Sequence, residues 1–264
     1  MRRAAQKNHL PKISLITPTL NRRVPLEKNI LNVLHQNYPN VEHIIIDGKS
    51  TDGTIEMLKK YKHLKWISEK DRNHIDAVNK GVKMATGDII TCLNSDDYFE
   101  PLTLKTVGSY FSRSWESKNY PKCLVGNLRV VNRKGKLLYI SHPSYTYMKM
   151  LRFWKHEFPL NPSSYFYLRK IHDKIGIFDE TAGTSYDYEF ILRMSKQYAF
   201  DYIDQELGNY VFDTGTITYE NWANIEQLTW NASKKHRETL PFITKKRLML
   251  DFFLYSILKT KFHI

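Results

Sequence analysis

Over its first hundred residues the chain alternates short apolar runs with helical patterns, and nothing else limits its fold so strongly. Lys12 to Thr17 reads as a strand closed by Pro18, and Leu26, Ile30, Leu31 and Leu34 put one apolar face on a helix reaching Gln36. Val41 to Ile46 is a second strand ending at Asp47-Gly48, and Thr51 or Asp52 can cap a helix running to about Tyr61. A third strand is expected over residues 63–67, a helix over 75–84 stopped by Ala85-Thr86-Gly87, and a fourth strand over 88–93. Pro101 then opens a further helix. Connections this short imply an α/β fold, a Rossmann-like and mostly parallel sheet flanked by helices.

Beyond about residue 115 the pattern loosens. Residues 122–131 and 136–140 look like strands joined at Arg133-Lys134-Gly135, Tyr165 to Leu168 like another, and Tyr188 to Gln197 like a helix. No repeat, low-complexity tract or flexible linker is visible. With 264 residues, 42% of them hydrophobic, the chain can bury a sizeable core. One domain with a C-terminal helical extension is the economical organisation.

The formal charge of +13 is consistent with nucleic acid, anionic lipid or phosphorylated substrates. No helix-turn-helix, zinc-finger or RRM pattern accompanies it, so a nucleic-acid partner is not expected. Cys92 and Cys123 form no disulfide framework, and a reduced cytoplasmic setting is the simpler reading. The basic start, Met1 to His9, lacks a following apolar run, and no stretch approaches the roughly 18 apolar residues of a membrane span. The basic and apolar tail, residues 243–258, either closes onto the domain as a helix or lies peripherally on the inner face of an anionic membrane.

Asn94-Ser95-Asp96-Asp97 follows the fourth expected strand, at the sheet edge where open α/β folds bind ligands. Adjacent carboxylates there are costly to desolvate unless a cation or proton neutralises them. They suit a divalent ion that grips a diphosphate, or else form a solvated turn. Three more loops converge on the same edge: Thr17-Pro18-Thr19-Leu20-Asn21, Asp47 to Thr54, and Glu69 to Gly81.

In this order and spacing the four loops resemble the family 2 glycosyltransferases, a largely inverting group with the GT-A nucleotide-sugar-binding fold. The likeness is close over residues 12 to about 110. It weakens through Gly176-Ile177-Phe178-Asp179-Glu180 and Tyr186 to Phe190, and fades after 205. The resemblance implies a basic tail at 1–11, a catalytic domain at 12–215 and a helical extension at 216–264. The catalytic domain would divide into a nucleotide-sugar-binding half, 12–113, and an acceptor-binding half, 114–215.

The resemblance also implies roles. Pro18 and Thr19 would lie against the base and ribose, with Asp47 at the nucleotide pocket and Asp76, Asn79 and Lys80 on the donor side. Asp96 would approach the ribose or donor sugar, and Asp97 would ligate Mg²⁺ or Mn²⁺ bridging the diphosphate of a UDP- or other NDP-sugar. Asp187 would be the general base, although by itself it reads equally as a helix cap. The acceptor would be a saccharide or lipid-linked glycan of cell-surface polysaccharide or glycoconjugate synthesis. Asn161 or Ser163 would stand near the acceptor where relatives often carry His, with Trp154 and His156 as further candidates. His74 either contacts the donor or is solvated, and Glu189 is either structural or the second candidate for the base. Two rival readings are a basic nucleic-acid-binding protein and an inactive glycosyltransferase-like scaffold; intact Asp96, Asp97 and Asp187 weigh against the second.

Overall fold

The computed structural model describes residues 10–114, 122–155, 158–220 and 222–262; the expected N-terminal tail up to residue 9 and His156 lie outside them. Strands β1 (Ile13–Thr19), β2 (Val41–Asp47), β3 (Lys65–Ser68) and β4 (Ile89–Cys92) alternate with helices α1 (Arg23–His35), α2 (Thr54–Leu58) and α3 (His74–Met84). The four strands pair in parallel in the order β3-β2-β1-β4. Pro18 lies inside β1 rather than beyond it. β4 pairs with β1 only from Ile13 to Ile16, so one side of the strand is open at Pro18 and its missing N–H leaves no gap there.

Successive β2 side chains point to opposite faces, and each face is covered. Ile45 packs with Leu26 and Ile30 of α1 and Met57 and Leu58 of α2. Ile44 and Ile46 belong to the main core with Val78 and Val82 of α3. That core depends on a close approach at Gly81, where an added Cβ would stand 2.4 Å from the Ile16 side chain.

The second half contains β5 (Tyr98–Phe99), α4 (Thr103–Ser114), β6 (Cys123–Val131), β7 (Leu137–Ser141) and α5 (Tyr147–Met150). It continues with β8 (Tyr165–Leu168), α6 (His172–Ile175), α7 (Tyr186–Gln197) and β9 (Phe200–Val211). Here the sheet becomes mixed. β8 runs antiparallel to β4 and β6, β9 parallel to β6, and β5 antiparallel to β9. The β6–β7 hairpin forms where expected, with Gly135 at φ 77 in its turn.

Helices α8 (Ile217–Glu220), α9 (Trp222–Ala232), α10 (Lys234–Glu238) and α11 (Phe242–Phe262) follow. One face of α11 closes onto the domain. Leu248 is buried, and Phe252 stacks on Trp230 at 4.1 Å and approaches Trp154 at 5.0 Å. The Arg237 guanidinium covers the Trp230 ring at 3.5 Å. No helix among the described residues is long and apolar enough to cross a membrane.

Candidate active site

Beyond the carboxyl ends of β1 and β4 lies a cleft of about 700 Å³. Pro18, Thr19 and Arg22 line it from the β1 side, and Asn94, Ser95 and Asp96 from the β4 side. Asn73 and His74 at the start of α3 add a third wall, and Asn161, Tyr186, Asp187 and Tyr210 of the second half face them.

The acid pair divides into an outer and an inner residue. Asp96 faces the cleft, with the Arg22 guanidinium 3.3 Å from its carboxylate. Arg22 is oriented from the far side by the Gly215 carbonyl, to which it donates at 2.6 Å. Asp97 is only 1% exposed and lies beneath that surface. Its Oδ2 accepts from the amides of Asn161 at 2.7 Å and Asn94 at 3.0 Å, and its Oδ1 accepts from the Val211 N–H at 2.9 Å. The Asn29 amide of α1 ties down the backbone through the Asn94 and Asp97 carbonyls, at 2.9 and 3.0 Å. A solvated turn does not describe this tetrad. Burial, with the Asp96 charge adding to it, pushes the Asp97 carboxyl up to about 8.

These residues fit a divalent cation. Mg²⁺ takes oxygen ligands, commonly one or two carboxylates with phosphate oxygens and water supplying the rest. Asp96 presents a carboxylate to the cleft, and Asp97 beneath it uses three of about four acceptor positions. The raised proton affinity of Asp97 marks negative charge that its neutral amide partners do not balance. No cluster of three or more His, Cys, Asp or Glu suited to a metal occurs among the described residues, so other ligands would have to come from the donor or water.

Asp187 opens onto the cleft from the second residue of α7. It does not cap that helix. Ser185 occupies the N-cap, and Asp187 Oδ1 accepts from its neighbour Tyr188 N–H, at 2.7 Å. Burial pushes its carboxyl up to about 7. Glu189 is buried, lies off the cleft lining and is held by Arg193 at 2.9 Å. His74 is half-buried in the cleft wall rather than freely solvated: its Nε2 lies 3.2 Å from the Tyr186 hydroxyl, and burial lowers its pKa to about 4, leaving it neutral at pH 7.

The other expected donor residues lie off the cleft lining. Asp47 is wholly buried, accepting from Ser50 N–H at 3.0 Å and the Ser68 hydroxyl at 2.6 Å, while its Oδ1 has no hydrogen-bond partner. Asn79 is engaged in clamping the Phe178 backbone, donating to its carbonyl and accepting from its N–H, each at 3.0 Å. Asp76 pairs with Arg72 at 2.7 Å, and Lys80 with Asp71 at 2.7 Å. Ser163 is buried beside Asn161, and Trp154 belongs to the core under α11. Arg22, Tyr210 and the Val211 N–H were not expected. Arg22 adjoins the first loop and was legible by position, whereas the other two sit on a strand that the pattern did not reveal.

Residues 14–176 match the model of glycosyl transferase family 2, more than half of the chain, which therefore belongs to that family. Among curated relatives, the dolichyl N-acetyl-alpha-D-glucosaminyl phosphate 3-beta-D-2,3-diacetamido-2,3-dideoxy-beta-D-glucuronosyltransferase of Methanococcus voltae is 29% identical over 201 residues, covering 70% of this chain and 62% of the relative. The putative teichuronic acid biosynthesis glycosyltransferase TuaG of Bacillus subtilis is 36% identical over 96 residues, covering 34% of this chain and 38% of that protein. The chain thus matches less than two thirds of the length of either relative. Residues 1–349 of S. aureus TarS, solved in complex with UDP-GlcNAc, superpose with a TM-score of 0.68 at 18% identity, covering 95% of this chain and 73% of that one. The mannosyltransferase PcManGT from Pyrobaculum calidifontis, solved with GDP-Man and Mn²⁺, gives 0.58 at 14% identity, covering 96% and 84%. The shared fold is the GT-A type.

Proposed function

We propose that the chain transfers a sugar from a nucleoside-diphosphate-sugar to a saccharide or lipid-linked acceptor, with inversion at the anomeric carbon. One observation carries the reading: Asp96, with Asp97 buried beneath it, and the lone carboxylate of Asp187 reach a single cleft from opposite halves of the sheet. The ligands and substrates in the names of the similar proteins support the donor and acceptor classes. In this reading residues 12–113 hold the donor, 114–215 the acceptor, and 216–264 form the extension.

Pro18 and Thr19 would bound the nucleoside, and Arg22 would bring a fixed positive charge to the diphosphate. Asp96 and Asp97 would hold Mg²⁺ or Mn²⁺, which when bound offsets charge on the departing diphosphate. Asp187 would take the proton of the acceptor hydroxyl as that oxygen bonds to the anomeric carbon. The bond from that carbon to the diphosphate oxygen breaks on the opposite face, and its electron pair leaves with the nucleoside diphosphate. Asn161 would act as a positioning residue, holding Asp97 from the acceptor half.

Calorimetry with a panel of nucleotide-sugars, with and without Mn²⁺, followed by turnover of each donor that binds, tests this reading. Donor binding with sugar release or transfer is expected. Absence of both across UDP-, GDP- and dTDP-sugars would overturn it, and full turnover in excess EDTA would remove the metal alone.

A further inference from the structure

Helix α11 buries one face and leaves the other apolar. At 3.6 residues per turn, Leu248, Phe252 and Tyr255 share one sector, and these are the residues packed on the domain. The opposite sector carries Ile243, Leu250, Phe253, Leu254, Ile257 and Leu258, with exposures from 46% to 81%. Scattered single apolar residues on a surface are ordinary, but a continuous stripe along most of a 21-residue helix is not. Lys246 and Arg247 fall in the same outward sector over the first turns, and the Lys246 ammonium lies 4.5 Å from the Phe242 ring centroid.

We propose that this outward face docks on an anionic lipid surface, with the helix lying in the plane of the headgroups. The inference goes beyond the proposed transferase reading and does not depend on it. Charge selects the occupant. The helix sequence holds Lys245, Lys246, Arg247, Lys259 and Lys261 against one acid, Asp251, in a chain of net charge +13. A second copy of the same face would bring basic residues against basic residues with almost no acid to answer them. An anionic bilayer answers both properties at once, accepting the apolar side chains at the acyl boundary and the cations at the phosphates. Crossing the bilayer is not the alternative, because no described helix is apolar enough.

The test is cosedimentation of the full chain with vesicles of phosphatidylcholine and phosphatidylglycerol in equal parts, beside pure phosphatidylcholine. Binding to the anionic vesicles alone, falling as salt rises, is expected. The joint variant Leu250→Gln, Phe253→Gln, Leu254→Gln should weaken it by more than about tenfold. Lys246→Glu with Arg247→Glu should weaken it by at least about fivefold per charge. These side chains are exposed, so thermal midpoints should match the wild type; if the apolar variant unfolds, the charge variant and the salt series decide. Equal binding to neutral and anionic vesicles, or none to either, would overturn the proposal. So would a lipid-free dimer in sedimentation velocity that the apolar variant converts to monomer, which would assign the face to a second copy.

Discussion

Asp187 is asked to sit half-buried at the cleft and yet ionise, and that tension makes its role measurable. Its carboxyl is raised to about 7 by burial, above the unfolded value of about 3.9. A group raised in this way contributes stability that is present below the unfolded pKa and lost as pH rises through about 7. Asp187→Asn should therefore equal or exceed the wild-type thermal midpoint at mildly alkaline pH. On the proposed role as general base, the same variant should turn over ~10²–10⁴-fold more slowly, and wild-type turnover should decline as pH falls below about 7. Near-normal turnover with a lowered midpoint would make Asp187 a structural residue. For Asp97, Asn is the informative substitution, since Ala would strand the Asn161, Asn94 and Val211 donors. Asp97→Asn should abolish metal-dependent nucleoside-diphosphate binding in calorimetry while the chain stays folded; retained metal dependence would pass the ion to Asp96 alone. The acids themselves were legible in the sequence because carboxylates are conspicuous after an apolar strand. Their partners were not, because a backbone N–H on β9 and an amide some sixty residues away leave no local trace.

Among elements, the parallel unit is tied together by a carboxylate that reads as an ordinary strand residue. Glu42 of β2 accepts from Ser14 of β1 at 2.5 Å and from the Thr86 and Gly87 N–H groups at 2.6 and 3.1 Å, and it pairs with Lys12 at 2.8 Å and Lys65 at 2.5 Å. Burial opposes its ionisation, but the bonds from Lys12, Lys65, Ser14 and Thr86 win and hold it well below the usual carboxylate range. A depressed carboxyl contributes stability above its unfolded pKa of about 4.3 and loses it as pH falls through the folded value. Glu42→Gln should cost about 2 kcal/mol in urea unfolding at neutral pH, discounted for two partly exposed lysines. The difference from wild type should narrow progressively as pH falls below about 4.3 and continue to do so into strong acid. A constant difference across that range would assign the cost to packing. The α3 pattern was legible to within a residue of its start, yet Asn79 was read as a donor contact. Position on a helix reveals a face; it does not reveal that the face meets Phe178 from the other half.

At the scale of the whole molecule, the half built from local alternation was readable; in the second half β6, β7, β8 and α7 were readable too, and the strands that depend on distant pairing, β5 and β9, were not. β9 joins β6 and β5 across long stretches of chain, and Asp201, Asp204, Gln205 and Glu206 interrupt its apolar pattern because much of its length is only partly buried. The tail presented the same difficulty in another form. Packing on the domain and presenting an apolar surface were alternatives for the sequence, because a helix apolar all round gives no periodicity to choose a face. The structure separates them within one dipeptide. Phe252 stacks on Trp230, while Phe253 beside it is 60% exposed. Phe252→Ala should cost about 2 kcal/mol, below the full range for a buried Phe because the ring is only partly covered. Phe253→Ala should stay within about 0.5 kcal/mol in the absence of lipid. Chemical denaturation of the two variants side by side measures both. Equal losses would mean that α11 is not seated as described, and equal neutrality would mean that the extension adds nothing to the stability of the catalytic domain.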